Sequence, residues 1–169
     1  KPKSSIIILD PKAKFSKFGL FKAGWQRHYG YDPENPTGEG MIKWINSEAG
    51  GTTIAYNAAS KTVTADAGNF KGDVVNIIPP QKAGKIAFSA GLTNDTGWCP
   101  INGKTFESTI HKNIHVIGDS SISKPMPKSG YAANSQAKVC AAAVVAMLKG
   151  DGAPTPSYVN TCYSIIAPG

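Results

Sequence analysis

Residues 113–150, NIHVIGDSSISKPMPKSGYAANSQAKVCAAAVVAMLKG, decide the fold class. They read as strand, loop and long helix. Ile114, His115, Val116 and Ile117 form a short apolar run closed by Gly118, as a buried strand is. Asp119 then stands at the strand's carboxyl end, the edge where open α/β sheets hold ligands. A polar loop with two prolines follows, and a helix is predicted from Gly130 to Lys149. Cys140, Val144, Met147 and Leu148 fall on one helical face. Seven alanines keep the helix slim enough to lie close to a sheet, and Gly150 is a natural residue to end it. Its amino end, at Ser129, Gly130 and Tyr131, offers backbone N–H groups and positive dipole potential to an electron-rich group.

Working outward, 169 residues suffice for a domain with a real core. The 18 glycines and 12 prolines predict plentiful loops. The net charge of +7 is spread along the chain as lysine, with Arg27 the one arginine and no basic helix. That pattern argues against nucleic-acid binding and suits a face for an acidic protein. No run of roughly 18 apolar residues occurs, so no membrane span is expected. The opening KPKSSIIILD is too short for a signal peptide, and its abrupt start suggests a processed chain or a fragment. Three cysteines, at 99, 140 and 162, do not close a disulfide framework among themselves and lack metal-finger spacing. His111 and His115 fall at a strand entry, so no metal pair is expected.

Residues 5–9 form a continuous apolar run ending in Asp10, the pattern of a fully buried parallel strand. An acid there could meet a ribose, but no G-x-G-x-x-G turn precedes it, and a strand stopped by Pro11 is the simpler reading. A helix is predicted over residues 16–29, capped by Ser16, with Phe18, Phe21, Trp25 and Tyr29 as a core stripe. Residues 41–71 read as a small antiparallel crossover meander with turns at 57–60 and 66–69, leading to a buried strand over 73–78. A short helix over 82–90 and a loop carrying Trp98-Cys99-Pro100 follow. A cysteine between Trp and Pro in a loop is less expected as core filler than Cys140, and its reactive and structural readings both stand. Cys140 and Cys162 are taken as packing residues.

Several blocks go further. IPPQKAG, GLTNDTGWCP, HVIGDSSISKPMPKSGYAANSQ and PSYVNTCYS resemble the flavoprotein subunit of flavocytochrome c sulfide dehydrogenase. That family is related to sulfide:quinone oxidoreductases and pyridine nucleotide-disulfide reductases, and the resemblance runs from SIIILD to NTCYSIIAP. It implies an α/β, partial Rossmann-like two-dinucleotide-domain flavoprotein fold with a small antiparallel β meander. The implied divisions are a partial second dinucleotide-binding domain (1–80), the carboxyl-terminal part of the FAD-binding domain (81–150), and the start of a truncated flavin-binding and interface region (151–169). The family's first glycine-rich FAD fingerprint has no counterpart here, so the chain is expected to be an internal piece of a larger subunit.

By that resemblance the cofactor is FAD, with haem c only in a partner c-type cytochrome subunit. Asp119, with Ser120 beside it, accepts a hydrogen bond from the ribityl chain, and Lys128, Ser129, Gly130 and Tyr131 face the flavin's pyrimidine end. Cys99 matches the family's redox-active cysteine, its disulfide partner lying in the remainder of the flavoprotein subunit. Sulfide then opens the disulfide, a thiolate reduces FAD, and single electrons pass to haem. A periplasmic location and no metal site are implied, and the isolated piece is expected to be inactive. The alternatives are a sulfide:quinone or nicotinamide-dependent disulfide oxidoreductase and, in another class, a non-catalytic fragment that docks a cytochrome c.

Overall fold

The computed structural model describes residues 4–167. The charged opening residues and Pro168 lie outside them. The chain divides into two compact units, one holding the sequence to Ile78 with the segment from Ser164, the other Pro79–Tyr163. The architecture is mixed α/β, with short strands in three small sheets.

In the first unit, β1 (Ile6–Leu9) pairs in parallel with β2 (Ile42–Ile45), in a register that sets Ile6 opposite Ile42 and Leu9 opposite Ile45. The expected strand at residues 5–9 is present, but it is not fully buried. Ile6 and Ile7 are exposed, because a two-stranded sheet has too few neighbours to cover both faces. Between the strands runs α1 (Phe18–Tyr29). Ser16 does not cap it; Lys17 holds the cap position in left-handed backbone with no side-chain bond to the helix. Phe15 packs edge-on against Phe18, Phe21 and Trp44, and Trp25 meets Tyr31, so the stripe packs on other aromatics while its residues stay only partly buried.

The antiparallel sheet is smaller than the expected meander. It comprises β3 (Thr53–Asn57), β4 (Thr62–Ala65) and β5 (Gly68–Lys71), in that spatial order. Both expected turns form, with Lys61 at φ 53° and Gly68 at φ 124°. Residues 41–45 do not belong to it, since β2 pairs with β1. The strand expected over 73–78 is absent. Val74 is 90% and Ile78 77% exposed, and no ladder partner meets this run among the described residues.

The second unit holds α2 (Lys85–Ser89), β6 (Cys99–Pro100), β7 (Ser121–Ile122) and α3 (Gly130–Leu148). The helix of the opening stretch therefore forms as expected, but the strand before it does not. Residues 114–117 make one isolated antiparallel bridge, His115 with Glu107, flanked by bonds from Ser108 N–H to Ile114 O (2.7 Å) and from Val116 N–H to Phe106 O (2.9 Å). Asn113 and Gly118 bracket the run at φ 65° and 71°, backbone that interrupts a ladder at both ends. The strand at this edge is instead β7, parallel to β6, after a 3-10 turn over Gly118–Ser120.

The buried face of α3 also differs from the expected stripe. Ala132, Ser135, Gln136 and Ala143 are buried, whereas Leu148 is 83% exposed and Met147 faces solvent. Burial on α3 follows neither size nor hydrophobicity, since Gln136 is buried while Ala141 and Ala142 are exposed; the buried face is the one tied to Gly118 and Val159. Residues 158–160 are fastened to the amino half of α3: Val159 N–H donates to Ser135 Oγ (3.0 Å) and Ser129 Oγ to Asn160 Oδ1 (2.7 Å).

Candidate functional site

Cys99 lies in strand rather than loop, and it is completely buried. It clusters with Ala83, Ala87 and Leu92, and Trp98 and Val116 pack against the cluster. The expectation that Cys99 is less of a core residue than Cys140 is thus reversed, since Cys140 is half-buried on α3. Cys162, expected as packing, is exposed, with Asn160 Nδ2–H donating to its Sγ at 3.2 Å. The turn ahead of Cys99 is closed by short-range bonds. Asn94 N–H donates to Trp98 O, Gly97 N–H to Asn94 O, and Ala83 N–H to Gly97 O, all between 2.9 and 3.0 Å. Gly97 takes φ 77°, which lets the chain reverse there without a side-chain penalty.

Across from Cys99 in the β6–β7 register stands Ser121. The turn carrying Asp119 and Ser120 runs directly into it. Lys128, nine residues after Asp119, returns to the same place. Its Nζ donates to Asp119 O, and to Ser121 O at 3.2 Å. The same ammonium sits 3.7 Å from the Trp98 ring centroid, a cation–π contact. Asp119, Ser121, Lys128, Trp98 and Cys99 are thereby gathered from three sequence segments.

Electrostatics follow this geometry. Burial pushes the Cys99 thiol above its ordinary range, and the Lys128 ammonium pulls it back down. Burial lowers the Lys128 pKa, while Asp119 and then Cys99 oppose the shift. Lys128 is held mainly by carbonyl oxygens, so its positive charge remains available to a nearby anion.

Ser129 caps α3, its Oγ accepting from Ala132 N–H at 3.1 Å. Open space lies where a Gly130 side chain would be, so the first turn of α3 is accessible. The Tyr131 side chain is exposed and joins none of the contacts around Lys128. An accessible helix amino end beside an ammonium suits an electron-rich group, and the exposed Asp119 carboxylate suits a hydrogen-bond donor. Among the described residues no group of three or more metal-ligating side chains occurs.

Sequence reasoning missed Gln136. It is buried on α3, where Oε1 accepts from Gly118 N–H (2.7 Å) and Nε2–H donates to Ser123 Oγ (3.0 Å). Gln136 therefore holds the 118–123 turn onto the helix that Ser129 caps. The available signal was its helical spacing from Ala132 and Ala143, a polar residue on a face of small ones. Asn160, bonded to the cap Ser129, was also unassigned.

Residues 1–79 match the family model described as the central part of the sulfide dehydrogenase (flavocytochrome c) flavoprotein chain. The match ends before Cys99 and before every other candidate site residue. A chain in the cryo-EM structure of the Tetrahymena thermophila mitochondrial ATP synthase F1Fo composite tetramer is similar in fold. It has a TM-score of 0.57 at 17% identity, over 90% of this chain and 45% of that one. The chain thus spans under half of that solved chain, and identity so low speaks to fold alone. The family match covers residues 1–79, a little under half of the chain.

Proposed function

We propose that the chain is part of an FAD-dependent sulfide dehydrogenase whose flavoprotein subunit acts in the periplasm with a c-type cytochrome. The observation that carries this reading is the match of residues 1–79 to the central region of that flavoprotein chain. The gathering of Cys99, Asp119 and Lys128 around one helix amino end supports it. A bound flavin would supply two-electron acceptance from a thiolate and one-electron release to haem. The chain's own contribution is to hold one sulfur and one end of the cofactor site. Asp119 accepts from ribityl hydroxyls, and the amides of Gly130 and Tyr131 bind and orient the pyrimidine edge. Ser129 and Gln136 fix the helix and turn that carry these groups.

Cys99 supplies one sulfur of the redox disulfide, and the second cysteine belongs to another part of the subunit. In that disulfide hydrosulfide attacks the second sulfur. A new S–S bond forms there, the disulfide breaks, and the electron pair stays on Cys99 as thiolate. A nicotinamide-dependent reductase is the weaker reading. Asp10, the acid at the end of β1 that could meet a ribose, is buried, and Oδ1 accepts from Lys12 N–H (3.0 Å) and Nζ (2.9 Å).

The test is sulfide-dependent bleaching of flavin absorbance in the flavoprotein subunit carrying this sequence. Cys99→Ser is expected to abolish bleaching while flavin stays bound. Unchanged bleaching, or a purified subunit without flavin, overturns the reading.

A further inference from the structure

We infer that Lys128 is a positioning residue that sets the ionisation of Cys99. This deepens the reading above and rests on it only for the use made of the thiolate. The geometry sets one ammonium against three groups: the sequence neighbour of Cys99, its ladder partner and the turn that leads into that partner. The Lys128 ammonium lies 3.7 Å from the ring of Trp98, the residue adjoining Cys99. It donates at 3.2 Å to the carbonyl of Ser121, the residue directly across the β6–β7 ladder from Cys99. It also donates to Asp119 O, so the loop from 119 to 128 is closed over β7 by the side chain that carries the charge.

A buried thiol resists ionising because its thiolate loses hydration. Around Cys99 stand the apolar side chains of Ala83, Ala87, Leu92 and Val116. Lys128 is the charged group that acts on the thiol, and Asp119 is the carboxylate that acts on Lys128 in turn. Ionisation passes the Cys99 proton to solvent and leaves a thiolate whose strand neighbour and ladder partner both touch the ammonium, with no change in redox state. In disulfide opening the same charge stabilises Cys99 as it receives the electron pair, and a better-stabilised thiolate leaves faster. A lysine held by two carbonyls and a ring, rather than by a carboxylate partner, keeps its charge for this purpose.

The test is a pH titration of the reduced chain with cysteine labelled by carbon-13 at Cβ, which reads each thiol separately. Cys99→Ser assigns the signal. Lys128→Gln keeps a hydrogen-bond donor for the carbonyls but removes the charge. It is expected to move the Cys99 midpoint upward, cutting its thiolate fraction at a fixed alkaline pH by roughly three- to tenfold. Lys128→Arg is expected to restore a midpoint near the unsubstituted one, and Cys140 is expected to titrate unchanged in both. A Cys99 midpoint that Lys128→Gln leaves in place overturns the inference. Should Lys128→Gln fail to fold, the unsubstituted chain decides: raising salt is expected to shift the Cys99 midpoint upward as the ammonium is screened, and a salt-independent midpoint overturns it. Loss of the sulfide reading through an inert Cys99→Ser would leave this titration result standing, so the two failures are distinguishable.

Discussion

The ammonium of Lys128 stands 3.7 Å from the centre of the Trp98 ring. The contact joins the turn before β6 to the last residues before α3, two segments 30 positions apart in sequence. Trp98 also packs against the cluster that holds Cys99, so one ring adjoins both the buried cysteine's surroundings and a cation.

A double-mutant cycle of Trp98→Leu and Lys128→Met measures that contact. The expected coupling is about 0.5–1 kcal/mol, the usual worth of a partly exposed cation–π pair. Denaturant unfolding of the four proteins supplies the numbers. Strict additivity of the two substitutions means that the ring and the ammonium do not interact in solution.

Gln136→Leu tests the tie between α3 and the 118–123 turn. The substitution keeps the size of the side chain but leaves the Gly118 N–H without its acceptor. A buried donor so orphaned costs about 1–3 kcal/mol. Lys138→Ala, on the exposed side of the same helix, is expected to change stability by about 0.5 kcal/mol or less. Equal effects of the two would show that Gln136 carries no buried bond.

The two faces of α3 separate in the same way. Ala143→Leu forces a large side chain into a fully buried site and is expected to cost about 1–3 kcal/mol. Leu148→Ala removes a side chain that is 83% exposed and is expected to be nearly neutral. Thermal unfolding of each variant distinguishes this packing from the Cys140–Val144–Leu148 stripe, for which the order of effects reverses.

That reversal shows where sequence reasoning holds and where it stops. The Gly130 start of α3, the parallel apolar run at Ile6–Leu9 and the hairpins around Asn57 and Asp66 were legible, because periodicity and turn chemistry are local. Apolar runs at 73–78 and 114–117 look like strands too, but a strand exists only where another segment offers a ladder, and that is not local. The burial of Cys99 and the return of Lys128 onto Trp98 likewise depend on which segments meet. Their roles were named through family resemblance, and their juxtaposition became visible only in three dimensions.

Alkaline pH provides a last check on burial. Burial raises the Cys99 and Cys140 thiols above the ordinary value of 9.0. A group raised in the folded state keeps its proton when the unfolded chain has lost it. The unfolded state then binds fewer protons, and stability falls with rising pH. The contribution is fully present below the ordinary thiol value and is lost as pH climbs through the folded ones. Tyr31 and Tyr158, raised above 10.0 by burial, extend the decline upward. Lys128 runs the other way, because burial lowers it from 10.5 and deprotonation relieves the cost of burying its charge. Its side chain is largely exposed, so the thiols dominate the first part of the window. Urea unfolding at a series of pH values is therefore expected to show stability falling from about pH 9 upward. Cys140→Ala is expected to flatten that slope without changing its sign, since Cys99 remains. A stability that rises over this range, or a slope indifferent to Cys140→Ala, contradicts the burial of these thiols.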